Sequence, residues 1–94
     1  FNPGSSPVKS MKLMMDFAIR FFGFTYAQAL NAATINPAFS LEHEDDVESL
    51  GVGSLAIGKR ADFQVIKANS VNDYLHEIGD SKQKIVFIDG EQVF

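Results

Sequence analysis

The run Ile85-Val86-Phe87-Ile88-Asp89-Gly90-Glu91-Gln92-Val93-Phe94 reads as a β-hairpin. Four consecutive apolar residues lead into Asp89-Gly90, and a strand from Glu91 to Phe94 returns alongside. A two-residue type I′ turn requires positive φ at both central positions, which an Asp-Gly pair tolerates. An unbroken apolar strand of this kind is expected to be covered on both faces. A second β-propensive run, Phe63-Gln64-Val65-Ile66, follows Ala61-Asp62. Working back from it, the glycine-punctuated run Gly51-Val52-Gly53-Ser54-Leu55-Ala56-Ile57-Gly58 separates these period-two segments from an N-terminal half with helical periodicity. Helices first and strands last make an α+β arrangement.

In the N-terminal half, Asn2-Pro3-Gly4-Ser5-Ser6-Pro7 is a dense turn, with Ser6 suited to cap a helix and Pro7 to occupy its first position. From Val8 onward, Met11, Met14 or Met15, Ala18 and Phe22 recur at three- and four-residue steps and are expected on one inward face, which Phe17, Ile19 and Phe21 widen. Gly23 supplies the stop. Thr25 and Gln28 have capping-box spacing, predicting a helix over Tyr26–Ala33 with Ala27 and Leu30 inward. Asn36-Pro37 repeats the cap-then-proline signal and predicts a short helical turn through Leu41. The acidic, aperiodic segment from Glu42 to Val52 reads as an exposed connector. Between Ala68 and Lys84 the pattern supports one helical turn, around Val71 to His76.

Composition excludes several classes. A chain of 94 residues that is 46% apolar can build one small core, whereas a (β/α)₈ barrel needs roughly 250 residues. The formal charge of −4 and the lack of any basic cluster beyond Lys59-Arg60 argue against nucleic-acid or anionic-membrane partners. The most apolar stretch, Phe17 to Phe24, is interrupted by Arg20 and falls short of the ~20 residues a membrane span needs. Without cysteine there is neither a disulfide framework nor a thiolate site, which fits a reducing compartment, by default the cytoplasm. The chain opens on Phe1 rather than Met, consistent with a truncation.

Few residues carry chemistry. His43 and His76 are far apart and neither has a second ligand at helical spacing, so no zinc constellation is expected from them. Glu42-His43-Glu44-Asp45-Asp46 lacks the alternation and internal glycine of a calcium loop and reads as a solvated charge run. Ser5 and Ser6 lack a nucleophile-elbow context and suit caps or ligand contacts. Asn2-Pro3-Gly4-Ser5 has two readings of equal weight. It could aim backbone N–H groups outward at an anionic group such as a carboxylate, or it could simply start a helix. The broad Met/Phe surface of the first helix points to core or to self-association.

Four pieces now stand in order: Phe1-Asn2-Pro3-Gly4-Ser5-Ser6-Pro7, then Ala29-Leu30-Asn31-Ala32-Ala33-Thr34-Ile35-Asn36-Pro37-Ala38, then Gly53-Ser54-Leu55-Ala56-Ile57-Gly58-Lys59-Arg60-Ala61-Asp62-Phe63, and finally Val86-Phe87-Ile88-Asp89-Gly90. Together they resemble the C-terminal region of the amidohydrolase superfamily. The last three are widespread there, and the first resembles the imidazolonepropionase family, in which an Asp-Phe-Asn-Pro-Gly-Ser-type run ends the eighth barrel strand. The chain departs from that family at Tyr74-Leu75-His76-Glu77-Ile78-Gly79, where a Tyr-His-x-Gly-Asn-like stretch is usual.

The resemblance implies a C-terminal fragment. Residues 1–50 would be the last helices of a metal-dependent hydrolase TIM barrel, and residues 51–94 strands of the small composite β-sandwich domain. It implies that the intact enzyme opens the imidazolone ring of 4-imidazolone-5-propanoate with one zinc or iron ion, which activates water. It places substrate-binding roles on Asn2, Gly4 and Ser5. The metal ligands fall on no residue of this chain, the nearest being an Asp expected just before Phe1, so no cofactor, no catalytic residue and no activity are expected of the fragment alone. A homo-oligomer formed through the apolar helix or an unpaired strand edge is expected as well. The rivals are a cytosine- or guanine-deaminase-like amidohydrolase and a non-enzymatic domain that binds a partner helix.

Overall fold

A computed structural model describes residues 2–42, 51–80 and 82–94. Helices α1 (Met11–Phe22), α2 (Tyr26–Ala33) and α3 (Ile35–Glu42) precede β1 (Phe63–Ile66), α4 (Val71–His76), β2 (Lys84–Ile88) and β3 (Glu91–Gln92). The class is α+β: a helical layer, and a three-stranded antiparallel sheet in the order β1-β2-β3. The acidic run from His43 to Asp46, with the rest of the expected connector up to Leu50, lies outside the described residues.

α1 starts four residues later than expected. Its N-cap is Ser10, whose hydroxyl accepts from the Leu13 amide at 3.2 Å. Ser6 cannot cap because its backbone is used elsewhere: its N–H donates to the Asn2 carbonyl at 2.7 Å and its carbonyl accepts from the Asn2 N–H at 2.8 Å. An N-cap carbonyl must instead receive the first helical bond. At the far end Gly23 adopts φ 71°, ψ 21° and, with Phe24, returns an N–H to the Ala18 carbonyl, the left-handed stop that glycine allows without a Cβ penalty. The capping box at α2 forms in both directions. The Thr25 hydroxyl accepts from the Gln28 N–H at 3.1 Å, and Gln28 Oε1 accepts from the Thr25 N–H at 2.9 Å.

α3 begins at Ile35, so Asn36 and Pro37 lie inside it rather than before it. Pro37 is tolerated because the first four helical N–H groups have no intrahelical partner, and the Ala38 amide then reaches Thr34 O at 3.3 Å.

The core is small. Met15, Ala29 and Leu75 form its buried cluster, with Ile19, Tyr26, Leu30, Ala33 and Tyr74 packed around them, and Ala38 is buried outside that cluster. The inward line of α1 is therefore Lys12, Met15, Asp16 and Ile19. Of the residues expected inward, Met15 is buried and Ala18 half-buried, whereas Met11 and Phe22 are 61% and 76% exposed, because the contact with α2 and α4 centres the inward face on Met15 and Asp16. On α2 the inward residue is Ala29 rather than Ala27, which is exposed; Leu30 is half-buried as expected. Tyr26, Ala29, Leu30 and Ala33 share the i, i+3, i+4, i+7 face that meets α1 and α4.

β1 pairs β2 with Phe63 opposite Phe87 and Val65 opposite Ile85. The two phenyl rings stack at 4.6 Å, the cross-strand contact that stabilises antiparallel pairs. Asp89 and Gly90 have φ of 50° and 80°, as the two-residue hairpin requires. The returning strand pairs Glu91 and Gln92 with Ile88 and Phe87. It then bulges, with Val93 and Phe94 N–H both directed at the Val86 carbonyl, so the regular strand is shorter than the expected Glu91–Phe94. β2 is not covered on both faces among the described residues, since Ile85 and Ile88 are exposed. Only Val86 and Phe87 gain partial cover in this narrow sheet.

Candidate functional site

The turn at residues 2–6 is built around Asn2. Its side-chain Oδ1 accepts from the Gly4 N–H at 2.9 Å, while its carbonyl accepts from the N–H groups of Ser5 at 3.2 Å and Ser6 at 2.7 Å. A backbone bridge between Asn2 and Ser6 closes the ring. Three consecutive amides are thus satisfied inside the turn and do not point at a ligand, and the turn is separated from α1 by an extended stretch rather than opening it. With Oδ1 taken by the Gly4 amide, the Asn2 amino group is the remaining polar end of the carboxamide, and Asn2, Gly4 and Ser5 are all exposed. Such a turn can present one amide donor and one hydroxyl to an anionic or carbonyl group, with Gly4 adding no side chain between them.

A second polar cluster, which sequence reasoning passed over, lies under α4. Asp16 is fully buried (0% exposed) and its Oδ2 accepts from Lys12 Nζ at 2.9 Å. Asp16 Oδ1 has no hydrogen-bond partner. Lys12 Nζ also sits 5.6 Å from the centre of the Tyr74 ring and donates to the Glu77 carbonyl. The i, i+4 spacing of Lys12 and Asp16 was legible as a helix-surface pair; that α4 would bury it was not. Burial, and after it the negative charge of Asp16, raises the Tyr74 pKa above its ordinary value of 10. A phenol that stays protonated longer in the folded state contributes stability that is complete below pH 10 and is lost as pH rises through the folded value. Tyr74→Phe is therefore expected to flatten the decline of stability as pH rises above 10, followed by urea denaturation at each pH; an unchanged alkaline decline would contradict this. Lys82 is also raised, by Asp80 and then Glu77, and titrates further up.

A third group locks the hairpin. Arg60 bridges Asp62 at 3.2 Å and Asp89 at 3.0 Å, Asp62 Oδ1 accepts the Asp89 N–H at 2.8 Å, and the Gly90 N–H donates to the Ala61 carbonyl at 3.0 Å. The Lys-Arg-Ala-Asp and Asp-Gly pieces of the sequence are one structural unit, a strand start clasping a turn. No reaction is suggested by it.

Among the described residues no three His, Cys, Asp or Glu side chains come together in a way that could hold a metal ion. Among the described residues the one fully buried carboxylate, Asp16, already has an ammonium against it, an arrangement that opposes a second cation. His76 ends α4 and is exposed, while His43 lies outside the described residues. The described donors therefore do not fit a metal centre. Among the described residues no helix is long and apolar enough to cross a membrane.

The family model described as "Amidohydrolase family" matches residues 4–93. The imidazolonepropionase of Deinococcus deserti is 38% identical over 92 residues, covering 98% of this chain and 22% of the relative. That of Herpetosiphon aurantiacus is 36% identical over 92 residues, covering 98% and 20%. The imidazolonepropionase of Shewanella baltica is 46% identical over 63 residues, covering 67% and 14%. The chain spans about a fifth of the length of the first two relatives.

Proposed function

The chain belongs to the amidohydrolase family, and from that premise we propose that it is a C-terminal part of an imidazolonepropionase. The intact enzyme hydrolyses the cyclic amide C–N bond of 4-imidazolone-5-propanoate to N-formimino-L-glutamate. The observation that carries this reading is the similarity to imidazolonepropionases along 98% of the chain, together with an exposed Asn-Pro-Gly-Ser turn whose outward groups suit a carboxylate-bearing substrate.

In this reading Asn2 and Ser5 contact the substrate through the carboxamide amino group and the hydroxyl, and Gly4 leaves room for its approach. These contacts are side-chain contacts, because the turn's amides are taken up internally. Residues 1–50 contribute closing helices of a barrel and residues 51–94 contribute strands of the sandwich domain. The zinc or iron ion is held by residues other than these 94, and the enzyme works in the cytoplasm. Self-association would use the exposed Met11 and Phe22 flank of α1 or the open edge of β1. The chain by itself is inactive.

The test is a substrate panel. A polypeptide carrying this sequence joined to the remaining part of its enzyme is expected to turn over 4-imidazolone-5-propanoate, followed by loss of the imidazolone absorbance, and to leave cytosine and guanine intact. Deamination of either base without imidazolone hydrolysis would overturn the proposal in favour of another amidohydrolase.

A further inference from the structure

α4 belongs by sequence to the sheet, lying between β1 and β2, yet it packs on the helices. Leu75 is 1% exposed and sits in the core with Met15 and Ala29. Among the described elements the strands pack closely only on one another, whereas α4 packs on both α1 and α2. Apart from the contact of Gly53 with Thr34, Ile35 and Ala38, α4 is thus the main described join between the two halves.

The last carbonyls of so short a helix have no intrahelical partners and carry the negative end of its dipole. Two carbonyls at this end are met by cations from α1: Arg20 Nη2 donates to the His76 carbonyl and Lys12 Nζ to the C-cap Glu77 carbonyl. Lys12 is held in turn by Asp16. Burying a carboxylate with one oxygen unpartnered is unfavourable, and a buried ion pair is often no better for stability than apolar side chains of the same volume. The pair is better explained by where it holds the ammonium than by core stability.

We infer that Lys12 and Arg20 are a cationic latch on the C-terminal end of α4, with Asp16 as the residue that positions Lys12, so that opening the latch frees α4 and the attached sheet from the helical layer without unfolding either. The latch does not depend on the proposed activity.

Amide hydrogen exchange on the 94-residue chain distinguishes this from a merely structural role. Two variants are needed: Arg20→Met, whose exposed head group cannot unsettle the core, and Lys12→Met/Asp16→Asn, which removes both charges and so leaves no bare buried carboxylate. In each, the α4 amides, such as Tyr74 N–H bonded to the Ser70 carbonyl at 3.0 Å, are expected to exchange about 10- to 100-fold faster, the range for loss of a charged hydrogen bond. The amide of Ala29 and the β1–β2 ladder should change by less than about threefold, within the scatter of a substitution that leaves those elements folded. A uniform rise throughout the molecule would overturn the latch, as would unchanged exchange in α4. Equal release by Lys82→Met, which removes the neighbouring pairs with Glu77 and Asp80 and neither of the two bonds from α1, would overturn it too.

Discussion

Lys12→Ala is expected to destabilise the chain by about 3–5 kcal/mol, the cost of removing one partner from a buried ion pair. Asp16 is 0% exposed and Lys12 is the cation against it, at 2.9 Å. With the ammonium gone, a buried carboxylate whose Oδ1 already has no partner loses the cation on Oδ2. The Glu77 carbonyl loses its donor at the same time. A domain of this size has a total stability of about 5–15 kcal/mol, so the variant should be largely unfolded under mild urea. Adding Asp16→Asn to Lys12→Ala should recover more than half of the loss, because the second substitution removes the charge that the first exposed. Denaturation of the two singles and the double closes the cycle. Additive losses would show that Lys12 and Asp16 act independently, contrary to the geometry.

Gly53→Ala is expected to cost about 3 kcal/mol. Two effects coincide there. Gly53 has φ of 86°, a conformation that costs a side-chain-bearing residue of order 1–3 kcal/mol. A Cβ at this position would also lie 2.6 Å from Ala38 Cβ, 3.1 Å from the Thr34 carbonyl and 3.2 Å from Ile35 Cα. Two of those three are backbone atoms at the α2–α3 junction and cannot swing away, so overpacking adds a further ~1 kcal/mol or more. Gly58→Ala is the matched control, with the same φ of 86° and nothing within 4 Å. It should show the backbone term alone, and equal losses at the two positions would remove the packing part of the account.

What could be read from the sequence was the chemistry that acts within a few residues. Gly23, the Thr25–Gln28 box and the Asp89-Gly90 turn behave as their residue types require, and α2, β1 and α4 occupy the expected positions. Choices settled by distant partners were not legible. Ser10 rather than Ser6 caps α1 because the Asn2 backbone claims Ser6. The buried line of α1 runs through Lys12, Met15 and Asp16 rather than Met11 and Phe22 because α4, some sixty residues away in sequence, lies on that side. The candidate site was legible as a turn but not as to which of its groups face outward. That depends on Asn2 Oδ1 and the Asn2 carbonyl collecting the amides of Gly4, Ser5 and Ser6, a local competition that residue types alone leave undecided.

The resemblance of the sequence to amidohydrolases agrees with the family match over residues 4–93. The structure adds a physical reading of two of its pieces. Lys59-Arg60-Ala61-Asp62 and Asp89-Gly90 act together in this chain, where Arg60 and Asp62 hold the hairpin closed, so their contacts belong to the sheet. The Asn2–Ser5 turn is exposed and preorganised by its own hydrogen bonds, which suits a contact surface more than a packing element.

Under the proposed function this chain supplies substrate contacts and packing while the hydrolytic centre is completed by residues other than these 94. The decisive measurement is metal content and 4-imidazolone-5-propanoate hydrolysis, taken side by side on the 94-residue chain and on the polypeptide that joins it to the rest of its enzyme. Stoichiometric metal and turnover are expected for the longer polypeptide only. Turnover by the 94-residue chain, or a tightly held zinc or iron ion in it, would overturn this division of roles.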